Sequence, residues 1–235
     1  MKEVRVHADI FALFPTFRRG LVVAENMDNH GVSEELASML DRVVEERGKE
    51  PIDLKSDRRI QVWSDAHRAF GSNPNKFPPA HASLLKRVQK VGTRVPFINK
   101  VVAIMNYNSI ASLMPVGGDD LDRAGNTLEL RRADGSEVFV PLGAPEAVEH
   151  PVPGEVIYVT GSGDVMCRRW NWRNGDTTKI TEDTSAILMN IDGIGEGIEP
   201  AVLAVRDRVA AMLDKFCQAR VRTFLLSPDQ NSVQI

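Results

Sequence analysis

Midway along the chain the apolar residues change period, and that change constrains the fold more than any other feature. In "TLELRRADGSEVFVPLG" they alternate on both sides of Asp134-Gly135, the pattern of two strands joined by a tight turn. "GEVIYVTGSGDVMCRRWNW" repeats the pattern about Gly161 to Gly163, and "AILMNIDG" reads as a further strand. A chain with consecutive hairpins at its centre must bury a sheet.

The flanking segments follow the helical period. Ser33 is placed to cap "EELASMLDRVVEERGKE", in which Leu36, Leu40, Val43 and Val44 share a face. Residues 71 to 79, "GSNPNKFPP", hold three prolines and a glycine and read as a loop. It leads into "AHASLLKRVQKVG", whose stripe is Leu84, Leu85, Val88 and Val91. A third helix puts Ile98, Val101, Val102 and Met105 on one side and stops at Pro115. Glu199-Pro200 opens a long helix with Val202, Val205, Val209, Met212, Leu213 and Phe216 inward, before a last strand, "VRTFLL". The order implies an α+β fold with helices packed on an antiparallel or mixed sheet, read as one domain over residues 1–235 with a C-terminal helix at 199–219.

Composition narrows the function. The net charge of -3 argues against nucleic-acid binding by bulk electrostatics and leaves only local patches. The two cysteines, Cys167 and Cys217, are 50 residues apart and the five histidines are scattered, so no metal site, cofactor or disulfide framework is expected. No segment has the apolar length of a membrane span and the N-terminus lacks a signal-peptide pattern, which points to the cytoplasm. "DGIGEG" near residue 195 lacks the spacing of a dinucleotide fingerprint.

Two of the three tryptophans fall in "CRRWNWRNGD". If the strand continues, Arg168, Trp170 and Trp172 share one face, and Cys167, Arg169, Asn171 and Arg173 the other. The tryptophans can pack on a helix with the polar row in solvent, or the polar row can border a cleft and offer donors to an anionic or carbonyl-rich ligand. Downstream, Thr177, Thr178, Thr181, Glu182, Asp183 and Thr184 form a hydrogen-bonding cluster that equally suits local capping. "PVGGDDLD" allows close backbone approach at Gly117 and Gly118 or simply a turn. Asn106, inside an apolar helix stripe, needs a partner in the core or in a ligand.

The stretch from Phe97 to Gly193, with P-V-G-G-x-D-L-D and the R-W-N-W run, resembles the editing domain of the phenylalanyl-tRNA synthetase beta subunit, and more closely its free-standing relatives. "WSDAHRAFGSNPNKFPPAHASLLKRV" extends the resemblance. It implies the fold of that domain and a metal-free hydrolase, which in the synthetase clears tyrosine from the phenylalanine tRNA. By position the family's helix asparagine is Asn106, and its ligand-facing turn is Val116, Gly117 and Gly118. The family's threonine before that asparagine is replaced by Met105, its histidine by Gly117, and its glycine-rich strand end by Arg168 to Asn171. The amino-acid pocket is therefore rebuilt, and tyrosine specificity does not carry over.

The resulting expectation is a trans-editing esterase that hydrolyses a mischarged aminoacyl-tRNA with a positioned water, aided by the terminal ribose hydroxyl. Arg169 and Asn171 are expected to contact the carbonyl or oxyanion, and Asn106 and Glu182 the water or ammonium. Val116, Gly117, Gly118, Arg168, Arg173 and Thr178 are expected to line the substrate. The alternative is a non-catalytic module that binds a tRNA end or a free amino acid, favoured by the missing histidine and threonine.

Overall fold

The computed structural model describes residues 1–90 and 92–235, so Val91 lies outside the described residues. The elements run β1 (Glu3–Val6), α1 (Ala8–Leu13), β2 (Arg18–Glu25), α2 (Glu34–Lys49), α3 (Arg58–Ala69), α4 (Ala80–Val88) and α5 (Lys100–Ser112). They continue with β3 (Val116–Asp120), β4 (Thr127–Arg132), β5 (Val156–Thr160), β6 (Val165–Arg168), β7 (Arg173–Asn174), β8 (Ile187–Gly193), α6 (Glu199–Cys217), β9 (Arg220–Leu226) and β10 (Ser232–Gln234). The fold is α+β.

The strands form two sheets. One has the order β10-β1-β4-β5-β6-β7 and is mixed, because β1 and β4 run parallel; the other, β3-β8-β2-β9, is antiparallel. Strand β2 explains the layering. Val22 and Ala24 enter a core shared with α2, α5 and α6, whereas Leu21 and Val23 enter a core shared with the mixed sheet and α3. A strand buried on both faces needs an unbroken apolar run, and "GLVVA" is one.

Local signals set the helix ends. Ser33 Oγ accepts from the Leu36 amide at 3.3 Å, and Asn99 caps Val102 at 2.9 Å. Because Asn99 starts α5 at Lys100, Ile98 lies before the helix and is exposed. The buried positions of α5 are Lys100, Val101, Ala103, Ile104, Asn108, Ser109 and Ile110, on more than one face, since α2, α4, α6 and β3 all pack on it. The buried amide of this helix is Asn108, whose Oδ1 accepts from Arg208 and whose Nδ2 donates to the Ile104 carbonyl. At its end Leu113 adopts a left-handed conformation two residues before Pro115.

The hairpin about Gly161 to Gly163 forms, joining β5 to β6. The one expected at Asp134-Gly135 does not: β4 pairs with β1 and β5, and the chain after the turn leaves the ladder. Glu137 is the physical reason. Its carboxylate accepts from the Asp134 and Gly135 amides, both at 3.0 Å, and pairs with Arg131, which holds a loop where a hairpin needs an extended return strand.

Candidate functional site

A cavity of about 220 Å³ lies where the two sheets meet α4 and α5. Its walls come from Met105, Asn106 and Ser109 on α5, from Val116 to Asp119 on β3, from Asn190 and Asp192 on β8, and from Tyr158, Cys167 and Trp170 to Asn171 at the edge of the mixed sheet. Ala80, His81 and Leu84 of α4 close one side.

Two hydrogen bonds pin these elements, one short-range and one between distant parts of the chain. The Ser109 hydroxyl oxygen accepts from the Val116 amide at 3.2 Å, tying α5 to the start of β3. The Ala80 amide, unpaired within its helix, donates to the Asn171 carbonyl at 2.7 Å and ties α4 to the "RRWNW" turn. Glycine is required at 118, where a Cβ would stand 2.8 Å from Met189 Sδ and 3.0 Å from the Leu188 carbonyl oxygen. At Gly117 a Cβ would meet nothing within 4 Å. The missing side chain there leaves open space beside the cavity.

The "RRWNW" run does not continue as a strand. β6 ends at Arg168, and Arg169 and Trp170 take φ values of 47° and 66°, so the chain folds back and Arg173 pairs with Arg168. Period-two alternation therefore stops before the tryptophans, and Trp170 and Trp172 part company. Trp170 is fully buried against Phe14, Phe17 and Trp63, with ring centroids 5.0 to 5.3 Å away. Trp172 packs on Phe77 at 4.7 Å.

The arginines are occupied elsewhere. Arg168 makes a buried two-pronged pair with Glu155, at 3.0 and 2.8 Å, and reaches Glu149 at 2.7 Å. The Arg169 guanidinium stacks 3.8 Å over the Phe77 ring and bonds Ser72 at 3.3 Å. Arg173 stands 3.7 Å from Glu149. None of the three lines the cavity, and Glu182 is exposed on a loop away from it. Thr178 lies one step behind the wall, where its hydroxyl donates to Asp119 at 2.7 Å. Asn106, Val116, Gly117, Gly118 and Asn171 do meet at the cavity.

The residues absent from the sequence expectation are the acids. Burial raises the Asp119 carboxyl to about 6; the Thr178 hydrogen bond and the Arg19 charge oppose this, and Asp120 adds to it. Asp192 is also raised by burial, against Arg19 and the hydrogen bonds from Tyr158 and Trp170. Its Oδ2 accepts from the Tyr158 hydroxyl and from Trp170 Nε1, while Oδ1 has no partner. Burial pushes the Cys167 thiol far up and leaves it protonated. Burial lowers His81 to about 3, so it is neutral. The one available signal was the acid in "AILMNIDG", a charged residue inside an apolar strand.

Among the described residues no group of three or more His, Cys, Asp and Glu side chains is arranged to hold a metal ion, and no helix is long and apolar enough to cross a membrane. No curated protein matches the chain. Among solved structures it is similar to an N-terminal fragment of the phenylalanyl-tRNA synthetase beta subunit from Pyrococcus horikoshii, at 13% identity and a TM-score of 0.47, over 93% of this chain and 50% of that one. The chain thus spans half the length of that fragment. The family model for the B3/4 domain matches residues 62–218, which include α4, α5, β3, β8 and every residue that lines the cavity. On that match the chain belongs to the B3/4 domain family, the editing-type domain of phenylalanyl-tRNA synthetase beta subunits.

Proposed function

We propose that the chain is an aminoacyl-tRNA deacylase that clears a mischarged amino acid in trans. The observation that carries this reading is Asp119, a cavity carboxylate whose pKa of about 6 suits a general base at neutral pH. An acid of that strength is ionised at pH 7 yet basic enough to take a proton from water. In the proposed step a water oxygen bonds to the ester carbon as its proton passes to Asp119. The carbonyl oxygen becomes an oxyanion held by the Asn106 amide. The carbon–oxygen bond to the terminal ribose then breaks, and the ribose oxygen receives the proton. Val116, Gly117 and Gly118 leave room for the amino-acid side chain.

A second reading, a non-catalytic module for a tRNA end or an aminoacyl group, is favoured by Met105 and Gly117. Both line the cavity, and neither carries a group that transfers protons. The discriminating experiment is a deacylation screen over a panel of mischarged tRNAs, with binding of uncharged tRNA measured in parallel. Hydrolysis of one or a few charged species supports the deacylase. Binding with no hydrolysis of any species leaves the module.

A further inference from the structure

From Ala66 to Gly118 the chain has no aspartate or glutamate. These 53 residues hold seven of its 29 lysines and arginines and none of its 32 acids, so the run carries +7 and the remainder of the chain -10. A net charge of -3 therefore conceals a basic segment. That segment contains α4, the helix that closes one side of the cavity.

Two of the seven cations are neutralised. Arg68 pairs with Asp65 at 2.6 Å, and the buried Lys100 pairs with Asp28 at 3.1 Å. Lys76, Lys86, Arg87, Lys90 and Arg94 are all exposed, and among the described residues none of them pairs with a carboxylate. Asp41 of α2 borders grooves that Arg87, Lys90 and Arg94 also line, but it bonds none of them. Glu45, one turn further along α2, is taken by Lys49 at 2.6 Å.

The five free cations follow one line through the fold. Lys76 lies in the loop that leads into α4, Lys86 and Arg87 in its last turn, and Lys90 and Arg94 in the chain that leaves it. Ala80 and Leu84 line the cavity. Positions 80, 84 and 87 share one helical stripe, so the stripe that closes the cavity runs on to Arg87, about 10 Å further along. Arg87 Nη2 donates to the Arg94 carbonyl oxygen at 3.3 Å, which holds the two together past the helix end. At the other end the half-buried rings of Phe77 and Trp172 pack at 4.7 Å, and the Lys76 ammonium lies 5.2 Å from the Phe77 ring centre.

A compact anion needs donors that converge, whereas these cations are strung out over residues 76 to 94. An extended row of unpaired cations with aromatic surface at one end suits a polyanion whose charges repeat and whose units stack, which is a single nucleic-acid strand. We infer that α4 and its flanks are the surface along which the phosphodiester backbone of a tRNA 3′ end lies, with the last nucleotide at the cavity beside Ala80. The identity of that strand rests on the deacylase reading, because an enzyme that works in trans must hold its own tRNA. Phosphate contacts carry no base information. The row therefore holds tRNAs of any sequence, and selection falls to the amino acid in the cavity.

The test is binding of uncharged tRNA to the full chain, by fluorescence anisotropy between about 50 and 200 mM salt. Five cations on a single strand should give a slope of log affinity against log salt of about 3 to 4 in magnitude. Lys86→Gln, Arg87→Gln and Lys90→Gln are each expected to lower that slope by roughly one unit, and the triple variant to bind on the order of tenfold or more weakly. Arg220→Gln removes an exposed cation on β9, at the edge of the antiparallel sheet opposite β3, and is expected to change neither quantity. An equal loss there overturns the surface. Lys86→Arg keeps the charge and is expected to bind as wild type; a loss matching that of Lys86→Gln overturns the electrostatic role. A tRNA trimmed of its last three nucleotides is expected to bind more weakly and no longer to distinguish Lys86→Gln from wild type, and unchanged behaviour overturns the assignment to the 3′ end. Poly-L-glutamate that binds as tightly as tRNA at equal charge gives the row to an acidic polypeptide and overturns the nucleic-acid assignment. All these substitutions are at exposed positions, so melting temperatures within a few degrees of wild type check that the fold is kept. No step requires hydrolysis. Binding that depends on α4 without deacylation of any tRNA sinks only the deacylase reading, and deacylation indifferent to the triple variant sinks only this one.

Discussion

The indole Nε1–H of Trp170 donates to Oδ2 of Asp192 at 3.0 Å, so a fully buried tryptophan from the mixed sheet holds an acid of the antiparallel sheet in the cavity wall. Trp170→Phe keeps an aromatic ring against Phe14, Phe17 and Trp63 but removes this donor. It should cost about 2–4 kcal/mol, from lost packing plus a poorly satisfied buried carboxylate, measured by urea unfolding. A loss below about 0.5 kcal/mol, within the usual range for surface substitutions, would show that the contact does not hold the two sheets together.

Asp119 links pH to stability. Its folded pKa of about 6 exceeds the reference value of 3.8, so the folded state binds the proton more tightly. Stability is then highest below the unfolded pKa and falls as pH rises from roughly 4 to 6, by about 3 kcal/mol for a shift of this size. Asp119→Asn, which can still accept from Thr178, should be more stable than the wild type at pH 7 and lose that advantage at pH 3.5. An unchanged difference between the two pH values would remove the ionisable burial from the account.

In the deacylation assay, Asn106→Ala should lower the rate constant on the order of 10²-fold, as expected for losing a donor to a developing oxyanion, with tRNA binding little changed. Arg169→Ala should act differently. Its guanidinium is engaged with Phe77 and Ser72, so the change should fall on stability, by about 1–2 kcal/mol, and leave the rate within severalfold. A drop in rate at Arg169 equal to that at Asn106 would return the arginine to the catalytic group.

Gly117→Val should leave the melting temperature close to wild type, because the new Cβ meets no atom within 4 Å. It should still reduce the size of amino acid accepted, seen as a selective loss of deacylation for the bulkier members of a tRNA panel. Gly118→Val is the contrast. There the Cβ meets the Leu188 carbonyl oxygen and Met189, and unfolding should become easier by about 1–3 kcal/mol, as for overpacked cores. Equal stability losses in both variants would show that 117 is packed and not open.

The fold class was legible because period decides it. Helices α2 and α6 bury the residues that their 3.6-residue spacing selects, and the unbroken apolar run of β2 is what a strand buried on both faces needs. The hairpin about Gly161 to Gly163 was equally local. The hairpin that failed at Asp134-Gly135 turned on Glu137, which pairs with Arg131 and accepts from the Asp134 and Gly135 amides, contacts that alternation of apolar residues does not reveal. The buried face of α5 was misjudged because four neighbouring elements, none of them specified by the helix itself, pack around it.

The site divides the same way. Asn106, Gly117 and Gly118 stand out as a lone amide in an apolar stripe and a pair of glycines after a helix, so the sequence by itself marked that edge of the cavity. Nothing local marks Asp192 as facing Trp170, Asp119 as lying with Asn171, or His67 as lying against an amide 104 residues away. Those pairings join β8 to the end of β6, β3 to the "RRWNW" turn, and α3 to that same turn. The ionisation of the acids is likewise a property of burial, which a linear chain does not possess. The sequence determined the α+β class and most of the long helices, because those depend on neighbours a few positions away, but not the strand ends at Asp134-Gly135 and Arg168, where tertiary contacts intervene. Only tertiary structure decided which polar groups would share a cavity, because that depends on where two sheets and two helices meet.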